Sequence, residues 1–247
     1  MLGVVNINIS KKYKVDSSSL KIAMDLIETE EVTLYAMSGK MGAGKDTIGD
    51  EIKERLKSYG HNVVSMSYAL PMRKEMEEVL SHYEEYKDYK RAAKHFNVSP
   101  CEIEEFIRLL NGKDVYRRTD ESRLAIQYWG TDVRRNQDTN YWINQLVKMI
   151  VSELNNGNSV EISDVRFENE ADSILDLNGK IIRIELPDKV RVERIVKRDS
   201  LVPTESHLNH ISETALDDYK FRRVFDGEQS VHKLTMEALE YIIERNN

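Results

Sequence analysis

The sequence predicts a three-layer α/β fold, a parallel sheet with helices on both faces. Three observations carry that expectation. Short apolar runs alternate with longer segments of helical periodicity along the chain. One run, Val32, Leu34, Ala36 and Met37, leads into a glycine-rich loop and then a helix. Turn residues, such as Asn155-Asn156-Gly157-Asn158, stand at the boundaries.

Residues 1–31 read as an N-terminal extension. Within it, Val4, Val5, Ile7 and Ile9 suggest an edge strand, and residues 20–27 a short helix. After the first core strand, Ile48, Ile52, Arg55, Leu56 and Tyr59 recur at helical spacing. Residues 63–67 are a candidate second strand. Residues 71–80 start a helix that runs into a polar stretch rich in Tyr and Lys, up to His95. Ser99-Pro100 opens another helix, with Ser as N-cap and Pro at the first helical position, and Asn111-Gly112 ends it. Residues 123–129 and 141–154 read as helices. Then follow a strand at 160–164, a helix at 169–177, a strand at 180–186, a helix at 187–198, a strand at 222–225 and a closing helix at 228–245. Residues 32–247 thus read as one domain, with a helical insert at about 71–155 and a lid at about 187–215. The insert is too long for a simple crossover. It is the natural place for an acceptor-binding lobe, with a purely structural subdomain as the alternative.

Gly39-Lys40-Met41-Gly42-Ala43-Gly44-Lys45-Asp46-Thr47 fits the G-x-x-x-x-G-K phosphate loop. Glycines let the backbone turn its N–H groups inward onto phosphate oxygens, and the following helix adds its positive end. Lys45 is placed to reach the β- and γ-phosphates of ATP. Asp46 stands where Ser or Thr is usual. It either holds Mg²⁺, a cation that favours oxygen ligands, or caps the helix start.

Three further clusters suit phosphate chemistry. Asp164 and Arg166 follow a strand, so they reach the carboxyl edge of the sheet. There a carboxylate can position Mg²⁺ and a guanidinium can grip phosphate; a surface ion pair is the plain alternative. Arg123, Gln127, Trp129, Arg134 and Arg135 combine phosphate-gripping arginines with an amide and a ring able to read a base. Core packing is the competing role for Trp129. Arg191, Arg194 and Arg198 lie on one helix and either close over a triphosphate or form a solvated basic face. His207 and His210, with no cysteine or H-E-x-x-H pattern nearby, read as parts of a mobile segment and not as a metal site.

The formal net charge of −7 argues against a general nucleic-acid binder. No apolar run approaches a membrane span and no secretory signal precedes the loop. Cys101 is the single cysteine, so no internal disulfide can form. The expectation is a soluble cytoplasmic protein.

In order and spacing, several stretches resemble the bacteriophage deoxynucleoside monophosphate kinases. They are the loop at 39–47; Gln127-Tyr128-Trp129-Gly130-Thr131-Asp132 with Arg135; residues 138–142; Asp164-Val165-Arg166-Phe167-Glu168-Asn169-Glu170; and His210-Ile211-Ser212-Glu213-Thr214-Ala215-Leu216-Asp217. The resemblance runs from about residue 32 onward. It implies a P-loop kinase fold, Mg²⁺, and transfer of the γ-phosphoryl of ATP to a deoxynucleoside monophosphate (dNMP). It also implies that Lys45 and the loop amides hold ATP, that Arg123, Arg135 and Arg166 grip the acceptor phosphate, and that Arg194 and Arg198 are lid arginines. The location would be the host cytoplasm if the chain is phage-encoded, and a homodimer is compatible with it. Two places depart from the pattern. Ala69-Leu70-Pro71 replaces Ala-Asp-Pro, and Glu168 replaces a proline. Animal-type phosphomevalonate kinase shares the Gly-Lys-Asp loop and the Ser-Glu-x-x-Leu-Asp segment, and a non-catalytic nucleotide-binding module is the other rival.

Overall fold

A computed structural model describes residues 2–117, 119–199 and 202–244, with the side chains of 2–6, 199, 206 and 207 left out of the description. The chain divides into two compact units. One comprises residues up to Ser67 and from Val147 onward; the other is Tyr68–Leu146.

The first unit opens with helices α1 (Leu2–Tyr13) and α2 (Ser17–Glu28), then β1 (Leu34–Ser38), α3 (Lys45–Ser58) and β2 (Val63–Met66). The second unit holds α4 (Ala69–Tyr86), α5 (Tyr89–Phe96), α6 (Pro100–Leu110), α7 (Asp120–Gln127) and a π-helical stretch, Tyr128–Arg135. Helix α8 (Tyr141–Asn155) begins in the second unit and ends in the first. The first unit then continues with β3 (Ser159–Val165), α9 (Glu168–Asp176), β4 (Lys180–Glu185), α10 (Asp188–Asp199), α11 (Glu205–Leu208), α12 (Ile211–Thr214), β5 (Val224–Asp226) and α13 (Val231–Ile243).

The sheet is parallel throughout, in the order β2-β3-β1-β4-β5. From β1 the chain crosses to β2 on one side; from β4 it crosses to β5 on the other. The order therefore reverses between β1 and β4, and a crevice opens at their carboxyl ends. Strand β1 is buried along its whole length, as expected when helices cover both faces. Tyr35 and Met37 of β1, Ile182 and Ile184 of β4 and Phe225 pack against Ile48, Ile52 and Leu56 of α3 and Leu234 and Ala238 of α13. Leu34 faces the other way, toward Ile174 of α9, where Gly179 leaves room for both.

The polar residues of β3 have a local reason. Glu161 is buried, accepts from Ser65 Oγ at 2.5 Å, and lies 3.8 Å from Lys53 Nζ. Gly49 makes space for it, since a Cβ there would fall 2.4 Å from Glu161 Oε1. Beyond Ile162 the register slips. Ala36 pairs with Ile162 but Ser38 with Val165, so β3 carries one extra residue between Ile162 and Val165, where Asp164 stands.

The N-terminal residues are helical, not an edge strand. Ile9 and Tyr13, four apart, are both buried, and Tyr13 Oη and Lys12 Nζ bond Asp176 of α9 at 2.5 and 2.7 Å. Burial at helical spacing outweighs the alternation of β-branched residues. The polar stretch before His95 is also helical. Helix α4 runs on to Tyr86, Lys87 ends it in the left-handed region, and Asp88 caps α5. Helix α6 has the expected start, with Ser99 and Glu102 forming a capping box.

Candidate functional site

In the first unit the loop between β1 and α3 wraps at the crevice. Gly39, Gly42 and Gly44 all have positive φ, and Gly44 is the N-cap of α3. At Gly42 the turn is crowded as well as strained for other residues. A Cβ there would sit 2.8 Å from the Arg191 carbonyl of α10. Lys45 is buried and folds back, donating from Nζ to Gly39 O at 2.8 Å. Asp46 and Thr47 are exposed in the first turn of α3. No side chain caps this helix, so the capping role for Asp46 is corrected.

The extra residue in β3 brings Asp164 to the same place. Its Oδ1 lies 3.7 Å from Lys45 Nζ. That oxygen is buried without a hydrogen-bond partner, and Oδ2 accepts from Arg166 Nε at 2.5 Å. A carboxylate oxygen buried without a hydrogen bond beside this glycine loop, with only the Lys45 ammonium near it, fits a hard cation or its water shell. Arg166 is half-buried, and its Nη1 also donates to Glu213 Oε1. Burial lowers the Arg166 pKa, but the Asp164 and Glu213 carboxylates outweigh it and hold the guanidinium above its ordinary value. Glu170 accepts from the N–H groups of Arg166 and Phe167, at 2.9 and 3.3 Å, and fixes the turn that carries Arg166.

Helix α10 lies on the loop's far side. Arg191 is buried and donates to Met41 O at 3.0 Å and to Asp188 at 2.6 Å. Arg194 reaches Gly227 O at 3.0 Å; its Nη1 is 3.7 Å from the Cβ position of Gly44. Arg198 is exposed one turn further on. A cavity of about 200 Å³ adjoins the loop, lined by Lys40, Arg183, Asp188, Arg191 and Asp217 among others. The structure thus gathers Gly39, Lys40, Met41, Gly42, Ala43, Gly44, Lys45, Asp164, Arg166, Arg191 and Arg194 around one crevice.

The second cluster belongs to the second unit and divides by burial. Arg123 and Gln127 are exposed on α7, and Arg135 is half-buried. Trp129 and Arg134 are core residues, which corrects their assignment to substrate. Trp129 is 0% exposed and donates from Nε1 to Glu75 Oε1 at 2.9 Å. Arg134 Nε shares that oxygen at 2.5 Å. A ring with no exposed face offers nothing for a base to stack on.

Glu213, Asp217, Arg183 and Glu75 carry much of this geometry and have no stated role in the sequence reading. Glu213 and Asp217 stand in the quoted motif, which was the available signal. Arg183 had one too, as a cation between the isoleucines of its strand. His210 caps α12, with its Nδ1 accepting from Ser212 N at 3.2 Å; the side chain of His207 lies outside the described residues. Among the described residues, no helix is long and apolar enough to cross a membrane. The chain matches no protein-family model and no curated protein.

Proposed function

We propose that this chain transfers the γ-phosphoryl group of ATP to the phosphate of a deoxynucleoside monophosphate. The bond from the γ-phosphorus to the β,γ-bridging oxygen breaks, and an acceptor phosphate oxygen bonds that phosphorus. The products are ADP and the deoxynucleoside diphosphate. One observation carries the reading. A glycine loop with three positive-φ glycines, a lysine and an Asp–Arg pair from the neighbouring strand meet at the point where the strand order reverses. The motif resemblance to phage dNMP kinases adds the acceptor class.

In this reading the loop amides and Lys45 bind the ATP phosphates. Arg166 grips transferring or acceptor phosphate, and Arg194 and Arg198 close over the triphosphate. Arg123, Gln127 and Arg135 recognise the acceptor. Asp164, with one oxygen free of hydrogen bonds, and the exposed Asp46 are the residues that would hold Mg²⁺. When bound, the ion neutralises charge on the phosphates. No general base is required, because the acceptor phosphate is already an anion and positioning dominates.

The burial of Trp129 removes one of the two base contacts that favoured a nucleotide acceptor over a phosphomevalonate-like one. The test therefore includes both. ADP release is measured with Mg-ATP and each of the four dNMPs, with ribonucleotides and phosphomevalonate alongside. Turnover with a deoxynucleotide supports the proposal and names the base. Turnover with phosphomevalonate alone overturns the acceptor. Silence throughout, with ATP still bound, overturns the kinase assignment in favour of a nucleotide-binding module.

A further inference from the structure

We propose that residues 211–217 form a brace that sets the phosphate loop and Arg166 for their ligand, with Glu213 and Asp217 as its positioning residues. The inference deepens the kinase reading and rests on it for its catalytic consequence.

Glu213 has a side chain only 7% exposed. A carboxylate so buried is costly unless both oxygens are engaged. Oε2 accepts the N–H of Met41 in the loop at 2.6 Å, and Oε1 accepts from Arg166. Four residues on, Asp217 accepts from Lys40 Nζ at 2.7 Å, and its other oxygen lies 3.9 Å from Arg183 Nη2. Arg183 Nη1 in turn donates to Ser38 Oγ at 3.3 Å, at the end of β1.

The two carboxylates act in parallel. Each holds one of two consecutive loop residues after β1. Each also holds one arginine from a strand flanking β1, Arg166 beyond β3 or Arg183 on β4. The brace thus ties three adjacent strand ends together where the crevice opens. Apolar packing would fasten a loop as firmly without the cost of burying ions. What carboxylates add is direction. They fix the guanidinium groups and keep like-charged Lys40, Lys45, Arg166 and Arg183 apart before an anionic ligand arrives. Within the loop, Glu213 accepts from Met41 alone and leaves the N–H groups of Gly42 and Gly44 to a ligand. In phosphoryl transfer such placement matters steeply, since a misplacement of about 1 Å can cost ~10²-fold in rate.

The test is a mutant cycle on the full chain, Glu213→Ala, Arg166→Ala and the double variant, with Glu213→Gln beside them. Two readouts are taken: hydrogen exchange at the Met41 amide, and kcat and KM with the acceptor that the wild type uses. In Glu213→Ala, Met41 exchange should rise at least ~10-fold while the amides of α3 keep their protection. The kcat should fall roughly 10²-fold with KM for ATP changing far less. Adding Glu213→Ala to Arg166→Ala should cost much less than it does alone. Glu213→Gln, which keeps an acceptor for Met41, should restore part of both. Unchanged Met41 exchange, or equal losses of kcat in both backgrounds, would overturn the brace. If the wild type turns over no acceptor, the kinase reading fails by itself, and Met41 exchange alone then decides the brace.

Discussion

Replacing Glu75 with alanine should unfold the second unit at markedly lower denaturant. Glu75 Oε1 accepts from Trp129 Nε1 and Arg134 Nε, and Oε2 accepts from Tyr141 Oη. The side chains of Arg134 and Glu75 are 4% and 13% exposed, so solvent screens the pair little. Burial first, and the Glu75 hydrogen bond second, hold the Tyr141 phenol above its ordinary pKa, so it stays a donor. Removing one partner of a buried pair costs ~3–5 kcal/mol. Each orphaned neutral donor adds about 1–3 kcal/mol in isolation. These losses share one carboxylate and do not add. Arg134 also keeps its place over the Trp129 and Tyr141 rings, 5.3 and 4.7 Å from their centroids, which retains ~0.5–2 kcal/mol. The expected loss is therefore about 4 kcal/mol for Glu75→Ala and ~1–2 kcal/mol for Glu75→Gln, which keeps an acceptor. Both tryptophans, Trp129 and Trp142, lie in the second unit. Tryptophan fluorescence in a urea titration thus reports that unit alone, while far-UV circular dichroism reports the whole chain. A midpoint shift worth less than about 1 kcal/mol at unchanged slope, the size of a surface substitution, would refute the argument.

Other outcomes follow from the site and the caps. Lys45→Ala should lower turnover by at least ~10³-fold with the fold intact, through lost charge stabilisation; near-normal turnover in a folded variant would sink the phosphate-loop assignment. Arg166→Ala should impair acceptor use far more than ATP binding, and steady-state kinetics with both substrates varied would remove Arg166 from the site if acceptor KM and kcat stayed put. Asp16 caps α2 by accepting from Ser18 Oγ and Ser19 N, bonds that lower its pKa from 3.8 to about 2. Its folded pKa is the lower one, so its support of α2 is present above pH 3.8 and fades as pH falls toward 2; an NMR titration of the Ser19 amide with a midpoint near the ordinary value of about 3.9 would contradict this.

The sequence made the core of the first unit legible because local signals and tertiary demands agree there. Around β1 and α3, buried apolar runs, a glycine loop and helical spacing all point the same way. The alternating order of later elements carried the parallel sheet. Elsewhere the local signal was ambiguous or misleading. Val4, Val5, Ile7 and Ile9 alternate like a strand, yet burial of Ile9 and Tyr13 makes the segment helical. Residues 128–135 are π-helical, which no residue pattern announces. Lys45, Asp164 and Arg166 drew attention because Lys45 opens the helix after a glycine loop and the other two stand at the carboxyl end of a strand. Trp129 was ambiguous because a large ring suits a base or a core equally well, and only its surroundings decide. Glu213 and Asp217 find their partners far away in sequence, so spacing alone could not assign them.

The fit of Gly49 against Glu161 links two positions distant along the chain. With a Cβ at 49 falling 2.4 Å from a carboxylate oxygen, position 49 cannot gain a side chain unless the Glu161 carboxylate gives way. Among descendants of this sequence, alanine at 49 should arise only where 161 has already shortened, to Asp, Ser or a small apolar residue. The reverse order is open, since a shortened 161 tolerates glycine at 49. Substitution here should run in one direction, and its history would be visible as glycine outlasting glutamate.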